Sequence, residues 1–132
     1  MSLSLFNLSG KRALITGGTQ GIGFSIAKGL GQAGASLVIN ARNSEKLTQC
    51  IQELQSLKIE ATGALFDVTN AESVKEAINH IETHIGPIDI LVNNAGIIRR
   101  APAEELPEED WNEVILTNLT APFMVYKYVG QH

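Results

Sequence analysis

Cysteine is nearly absent from this 132-residue chain, in which Cys50 stands alone. One thiol forms neither an internal disulfide nor a cysteine cluster for zinc. A disulfide-stapled secreted scaffold is therefore excluded, and a reducing, cytoplasmic setting is the expectation. A basic surplus is also missing. Ten Lys and Arg face fourteen Asp and Glu, a formal charge of −4, and the cations are scattered rather than gathered in a stripe, which argues against nucleic acid as a partner. No apolar run approaches the roughly 20 residues of a membrane helix. The opening Met1-Ser2-Leu3-Ser4-Leu5-Phe6 carries no basic residue, so neither a membrane span nor an export signal is expected. Repeats and low-complexity segments are lacking too. What remains has the length and composition of one soluble globular domain, 44% hydrophobic and 18% charged. Such a chain can bury about two-thirds of its unfolded surface without a disulfide or a metal.

Short apolar runs alternate with longer segments of helical period, the order of an α/β domain with a parallel sheet. Residues 12–16 predict a first strand, and Ile22, Ile26, Leu30 and Ala33 predict the buried stripe of a first helix. Gly34 follows where a left-handed residue commonly ends a helix, and Leu37-Val38-Ile39 supplies the second strand. Leu47, Cys50, Ile51, Leu54 and Leu57 form a second helical stripe, which assigns Cys50 to the core as a packed thiol. Residues 61–66 read as a weaker third strand. Thr69-Asn70-Ala71-Glu72 matches a capping box, ahead of a third helix carrying Val74, Ala77, Ile78, Ile81 and Ile85 and stopped by Gly86-Pro87. His80 and His84 have the spacing of a metal pair on that helix but no third ligand beside them, so solvent-facing histidines and no metal are expected. Residues 88–92 give a fourth strand, apolar on both faces. A last helix starts near Pro107, with Glu108, Glu109 and Asp110 in its first turn. Right-handed crossovers then order four parallel strands 3-2-1-4. The result is a doubly wound Rossmann-type sheet spanning 1–132, with a ligand crevice between strands 1 and 4.

The chemistry concentrates where strand 1 meets helix 1. Thr16-Gly17-Gly18-Thr19-Gln20-Gly21-Ile22-Gly23 is a glycine-rich turn able to bring backbone amides onto a diphosphate. The acid that would bind the ribose hydroxyls about twenty residues on is missing, because the second strand ends Ile39-Asn40-Ala41-Arg42. An arginine there can pair with a 2′-phosphate, which favours NADP, with NAD as the alternative.

The pattern Thr16-Gly-x-x-x-Gly-x-Gly23, combined with Asn93-Asn94-Ala95-Gly96 after strand 4, resembles the short-chain dehydrogenase/reductase family. The resemblance runs from about Leu8 to the end and takes in Asp67 and Asn118. It implies the amino-terminal half of an NAD(P)-binding Rossmann domain, truncated after the fourth strand and fourth helix. The implied activity is interconversion of a secondary alcohol and a ketone. The implied diphosphate loop is Gly17, Thr19, Gln20, Gly21, Ile22 and Gly23. Arg42 would meet the 2′-phosphate, Asp67 and Val68 the adenine, and Asn93, Asn94, Ala95 and Gly96 the sheet centre and the ribose wall. Ile85-Gly86-Pro87-Ile88-Asp89, Ile97-Ile98-Arg99-Arg100 and Trp111-Asn112 look most like members acting on a sugar acid such as gluconate. Ala41-Arg42-Asn43 also suits the tropinone-reductase-like members. Arg99 and Arg100 follow strand 4 at the end where open α/β sheets bind ligands, and an arginine fork suits a substrate carboxylate.

The chain also departs from the family. The implied proton donor is the tyrosine of Tyr-x-x-x-Lys, yet Tyr126 is followed four positions later by Gly130 and Tyr128 by His132. Both tyrosines are assigned to packing, and the strand that would carry a partner serine is absent. Asn118 is the one implied catalytic position present. Pro122, four residues later, has no amide hydrogen, so the Asn118 carbonyl loses its helical partner and is free to hold a water. The chain alone is therefore expected to be inactive, with a catalytically silent nucleotide- or partner-binding module as the alternative. The unpaired edge of strand 4 is expected to recruit a second copy or a companion chain.

Overall fold

The computed structural model describes residues 4–132. The apolar runs form β1 (Arg12–Ile15), β2 (Ser36–Ala41), β3 (Ala61–Leu65) and β4 (Ile90–Val92), one parallel sheet in the order β3-β2-β1-β4. The expected order 3-2-1-4 is thus the order found. Leu14 pairs with Val38 on one side and with Leu91 on the other. Because successive strand residues point to opposite faces, β1 feeds two cores. Ala13 and Ile15 join Ile39, Ala27, Leu47 and Leu54 on the face covered by α1 (Gly21–Gln32) and α2 (Ser44–Ser56). Leu14 and Val38 join Val74, Ile78, Ala121 and Val125 on the face covered by α3 (Ala71–His80) and α5 (Ala121–Gly130).

Several local expectations change on contact with the structure. The seat of α1 is Gly23 and Ala27, with Phe24 and Leu30 packed beside them, while Ile22 is 75% exposed. Small residues let the helix axis approach the sheet, and the larger side chain is displaced to the rim. The cap of α3 is Asn70, whose side chain accepts the Ser73 N–H at 3.0 Å. Thr69 does not cap, because its hydroxyl is donated to Asp67 Oδ1. Tyr126 is 68% exposed, and only Tyr128 packs against the second core. Tyr126 follows the buried Val125 and is therefore turned about 100° away from it. Finally, the helix expected from Pro107 is interrupted. α4 (Glu108–Ile115) passes through a π turn (Leu116–Thr120) into α5.

Leu57, expected in the buried stripe of α2, lies just past its end and is 43% exposed, whereas Gly34 and Cys50 lie where the sequence places them. Gly34 adopts φ +106° after α1, with the Gly34 and Ala35 amides bonded back to Gly31 and Leu30. Cys50 is 3% exposed in the first core. Burial, and then the charge of Glu53, push its thiol pKa up. His80 at the end of α3 and His84 on the π turn that follows (Ile81–Ile85) are exposed and stacked, with ring centroids 4.5 Å apart. Among the described residues no three His, Cys, Asp or Glu side chains gather as a metal site, and no helix is long and apolar enough to cross a membrane.

Candidate nucleotide-binding site

The site is built where β1 and β4 end side by side. Thr16, 1% exposed, follows β1. Its Oγ1 accepts the N–H groups of Asn94 and Ala95, both at 3.0 Å, and lies 3.5 Å from the Val92 carbonyl it donates to. One hydroxyl thus fixes the turn after β4 against the turn after β1. Asn94 returns the contact, donating Nδ2 to the Gly17 carbonyl at 3.0 Å. The approach is so close that a Cβ on Gly17 would stand 2.9 Å from Ala95 Cα. A Cβ on Gly23 would collide with Asn94 Nδ2 and lie 2.7 Å from the Gly17 carbonyl oxygen. Thr16→Val keeps the shape and removes the acceptor. Two amides lose their partner, so a loss of about 2–3 kcal/mol is expected in urea unfolding, and an unchanged midpoint would contradict the role assigned to the hydroxyl.

Above these turns lies a cleft of about 520 Å³. Gly17, Thr19, Gln20, Gly21, Ile22, Arg42, Asp67, Val68, Asn94, Ala95 and Gly96, all singled out from the sequence, line it together. Gly23 lies beneath, at the contact just described, and Asn93 is outside the lining, exposed and donating its Nδ2 to the Pro122 carbonyl at 3.4 Å. α2 and α3 are capped by Asn43 and Asn70, whereas Gln20 makes no side-chain cap for α1. The first amides of α1 are therefore left free for a ligand in the cleft, at the positive end of the helix dipole. Arg42, directly after β2, makes no hydrogen bond or ion pair among the described residues. Burial raises the Asp67 pKa, but the hydroxyl and amide of Thr69, at 2.7 and 2.9 Å, and the charge of Arg42 outweigh it. The carboxyl is held below the usual carboxylate range, so this contribution to stability is present above that range and is lost as pH falls through the lowered value.

Asn40 is a site residue that the hydrophobic pattern of β2 conceals. It is 2% exposed and lines the cleft from β2. Its Oδ1 accepts the Gly17 N–H at 3.2 Å, and its Nδ2 donates to the Phe66 carbonyl at 2.8 Å and the Ala64 carbonyl at 3.4 Å. A single amide therefore ties the glycine turn to the end of β3. The available signal was a polar residue inside an otherwise apolar run, which is costly to bury unless it is bonded. Lys46, Thr69 and Thr117 also line the cleft without having been singled out.

Three other candidates sit outside the cleft lining. Arg99 pairs with Glu113 at 3.0 Å and donates to the Ile98 carbonyl at 3.1 Å. Arg100 is exposed and has no partner among the described residues. Asn118 lies in the π turn, with its side chain accepting the Ile97 N–H at 2.9 Å and donating to the Ile97 carbonyl at 2.8 Å.

The family pattern described as short chain dehydrogenase matches residues 11–132. The chain belongs to this family. The 5-keto-D-gluconate 5-reductase of Escherichia coli K12 is 49% identical over 128 residues, 97% of this chain and 50% of that protein. The gluconate 5-dehydrogenase of Gluconobacter oxydans is 47% identical over the same shares of each chain, 97% and 50%. Among solved structures, gluconate 5-dehydrogenase from Burkholderia cenocepacia in complex with NADP and tartrate matches with a TM-score of 0.92 and 45% identity, over 96% of this chain and 50% of that one. The likeness to gluconate-acting members of the family, read from residues 85–89, 97–100 and 111–112, agrees with these matches. The chain spans about half the length of the curated relatives it matches.

Proposed function

We propose that this chain is the nucleotide-binding part of an NADP-dependent oxidoreductase that interconverts a secondary alcohol and a ketone on a sugar acid such as gluconate. The observation that carries the reading is an unpaired arginine, Arg42, at the end of β2, in the same cleft as the uncapped start of α1. A cation there suits a 2′-phosphate. An acid would suit the bare ribose of NAD instead. The free amides at the start of α1 suit the diphosphate, Asp67 and Val68 border the adenine end, and Asn94, Ala95 and Gly96 form the opposite wall. When bound, the dinucleotide supplies or accepts a hydride.

The chain's own residues bind and orient. The Asn118 carbonyl, deprived of an α-helical donor by Pro122, holds a water for the proton relay. Arg99 is shared with Glu113, so Arg100 is the freer cation for a substrate carboxylate. The open β4 edge and the exposed Leu119, Phe123 and Tyr126 receive a second copy or companion chain, in the cytoplasm. The printed activities of the gluconate-acting relatives support the substrate class.

Fluorescence titration of the chain tests the cofactor assignment. NADPH is expected to bind more tightly than NADH. Arg42→Ala is expected to weaken NADPH by about 10- to 100-fold, the worth of a charge-assisted hydrogen-bond pair, and to leave NADH nearly unchanged. Tighter binding of NADH by the unmodified chain would overturn the assignment.

A further inference from the structure

Three charged side chains line the cleft, Arg42, Lys46 and Asp67. Their balance is informative. Thr69 and Arg42 keep the Asp67 carboxyl below the usual carboxylate range, so it is fully ionised at neutral pH, and the field of Arg42 falls on it. A phosphate monoester carries a charge of about −1.5 to −2 at pH 7. Arg42 alone would present it with a cation already offset by a neighbouring anion. Lys46 supplies the missing charge. It stands four residues after Arg42 in the first turn of α2, where Asn43 Oδ1 accepts its backbone N–H at 2.9 Å and fixes the start of the helix. Like the Arg42 guanidinium, its ammonium makes no hydrogen bond or ion pair among the described residues.

We infer that Lys46 is the second specificity-determining cation, completing with Arg42 a 2′-phosphate site that Asp67 would otherwise neutralise. The inference rests on the NADP reading and deepens it. The two cations divide the work by shape. The guanidinium offers a planar fork of donors, while the ammonium is a compact charge on a flexible stem that can settle on whichever phosphate oxygen the fork leaves. Both roles concern affinity and cofactor choice and contribute nothing to the chemical step.

Lys46→Met keeps most of the stem and removes the charge. It is expected to weaken NADPH about tenfold, and 2′,5′-ADP in competition by the same factor, with NADH changed by less than about twofold. The fall of NADPH affinity with salt should become shallower, and Lys46→Arg should restore most of the loss. Superimposable circular dichroism melts exclude a merely structural effect. If Lys46→Met leaves NADPH within about twofold while Arg42→Ala shows its loss, the inference fails and the NADP reading survives. If NADH weakens as much as NADPH, Lys46 serves a part common to both nucleotides and the inference fails. If neither variant moves NADPH, the 2′-phosphate reading falls and takes the inference with it.

Discussion

Mixed with NADPH and 5-keto-D-gluconate, the 132-residue chain is expected to oxidise no cofactor above the rate without protein. Hydride delivery to a ketone leaves negative charge on the substrate oxygen, and a positioned proton donor contributes about 10²–10⁴-fold to such a step. The chain holds two tyrosines and neither is followed by a lysine four positions on. Neither lines the cleft, since Tyr126 lies exposed on α5 and Tyr128 packs against the core that α3 and α5 share. The free amides at the start of α1 and the two cations of the cleft are suited to binding and orienting, but none of them replaces the donor. Cofactor oxidation that follows the addition of the ketoacid and scales with chain concentration would refute this expectation.

Gly17→Val is expected to lower the melting temperature by roughly 10–20 °C and to abolish measurable nucleotide binding. Gly17 has φ +60°, a left-handed conformation that costs a side-chain-bearing residue about 1–2 kcal/mol. The new Cβ also meets Ala95 Cα at 2.9 Å. Overpacking of this kind costs about 1–3 kcal/mol, and the obstacle here is backbone rather than the end of a flexible side chain. The two together are a large part of the roughly 5–15 kcal/mol of a typical domain. Gly21 makes a sharp control. Its φ is +59°, yet a Cβ there meets nothing within 4 Å, so Gly21→Ala should show the conformational cost alone. A Gly17→Val protein with native melting and native NADPH affinity would contradict the account of the turn.

The strand order and the cleft were legible because they rest on coarse signals. β1 and β2 carry the short apolar runs Ala13-Leu14-Ile15 and Leu37-Val38-Ile39, crossovers of one hand leave little choice of order, and a glycine-rich turn after the first strand points to one place on the sheet. What escaped depends on contacts that no periodicity encodes. Ile22 matches the helical stripe better than Gly23 does, but the stripe cannot reveal that α1 must come close enough to touch Asn94. Thr69 and Asn70 are both good cap residues, and the competition of Asp67 for the Thr69 hydroxyl decides between them. Asn40 gave no alternating signal because β2 is buried on both faces, so a bonded polar residue there reads as one more interior position. The break between α4 and α5 likewise left only the trace of Pro122.

The reciprocal bonds between Asn118 and Ile97 give the irregular segment after β4 an unusual exactness. Both polar groups of the Ile97 main chain find partners on one carboxamide, as they would on a neighbouring strand. The side chain imitates a single rung of a ladder across 21 positions of sequence. Sliding the segment by one residue would break both bonds at once, so the pair fixes the register of the segment. Arg99 and Arg100 follow directly behind this pinned residue in the chain, so the same carboxamide fixes where their backbone begins.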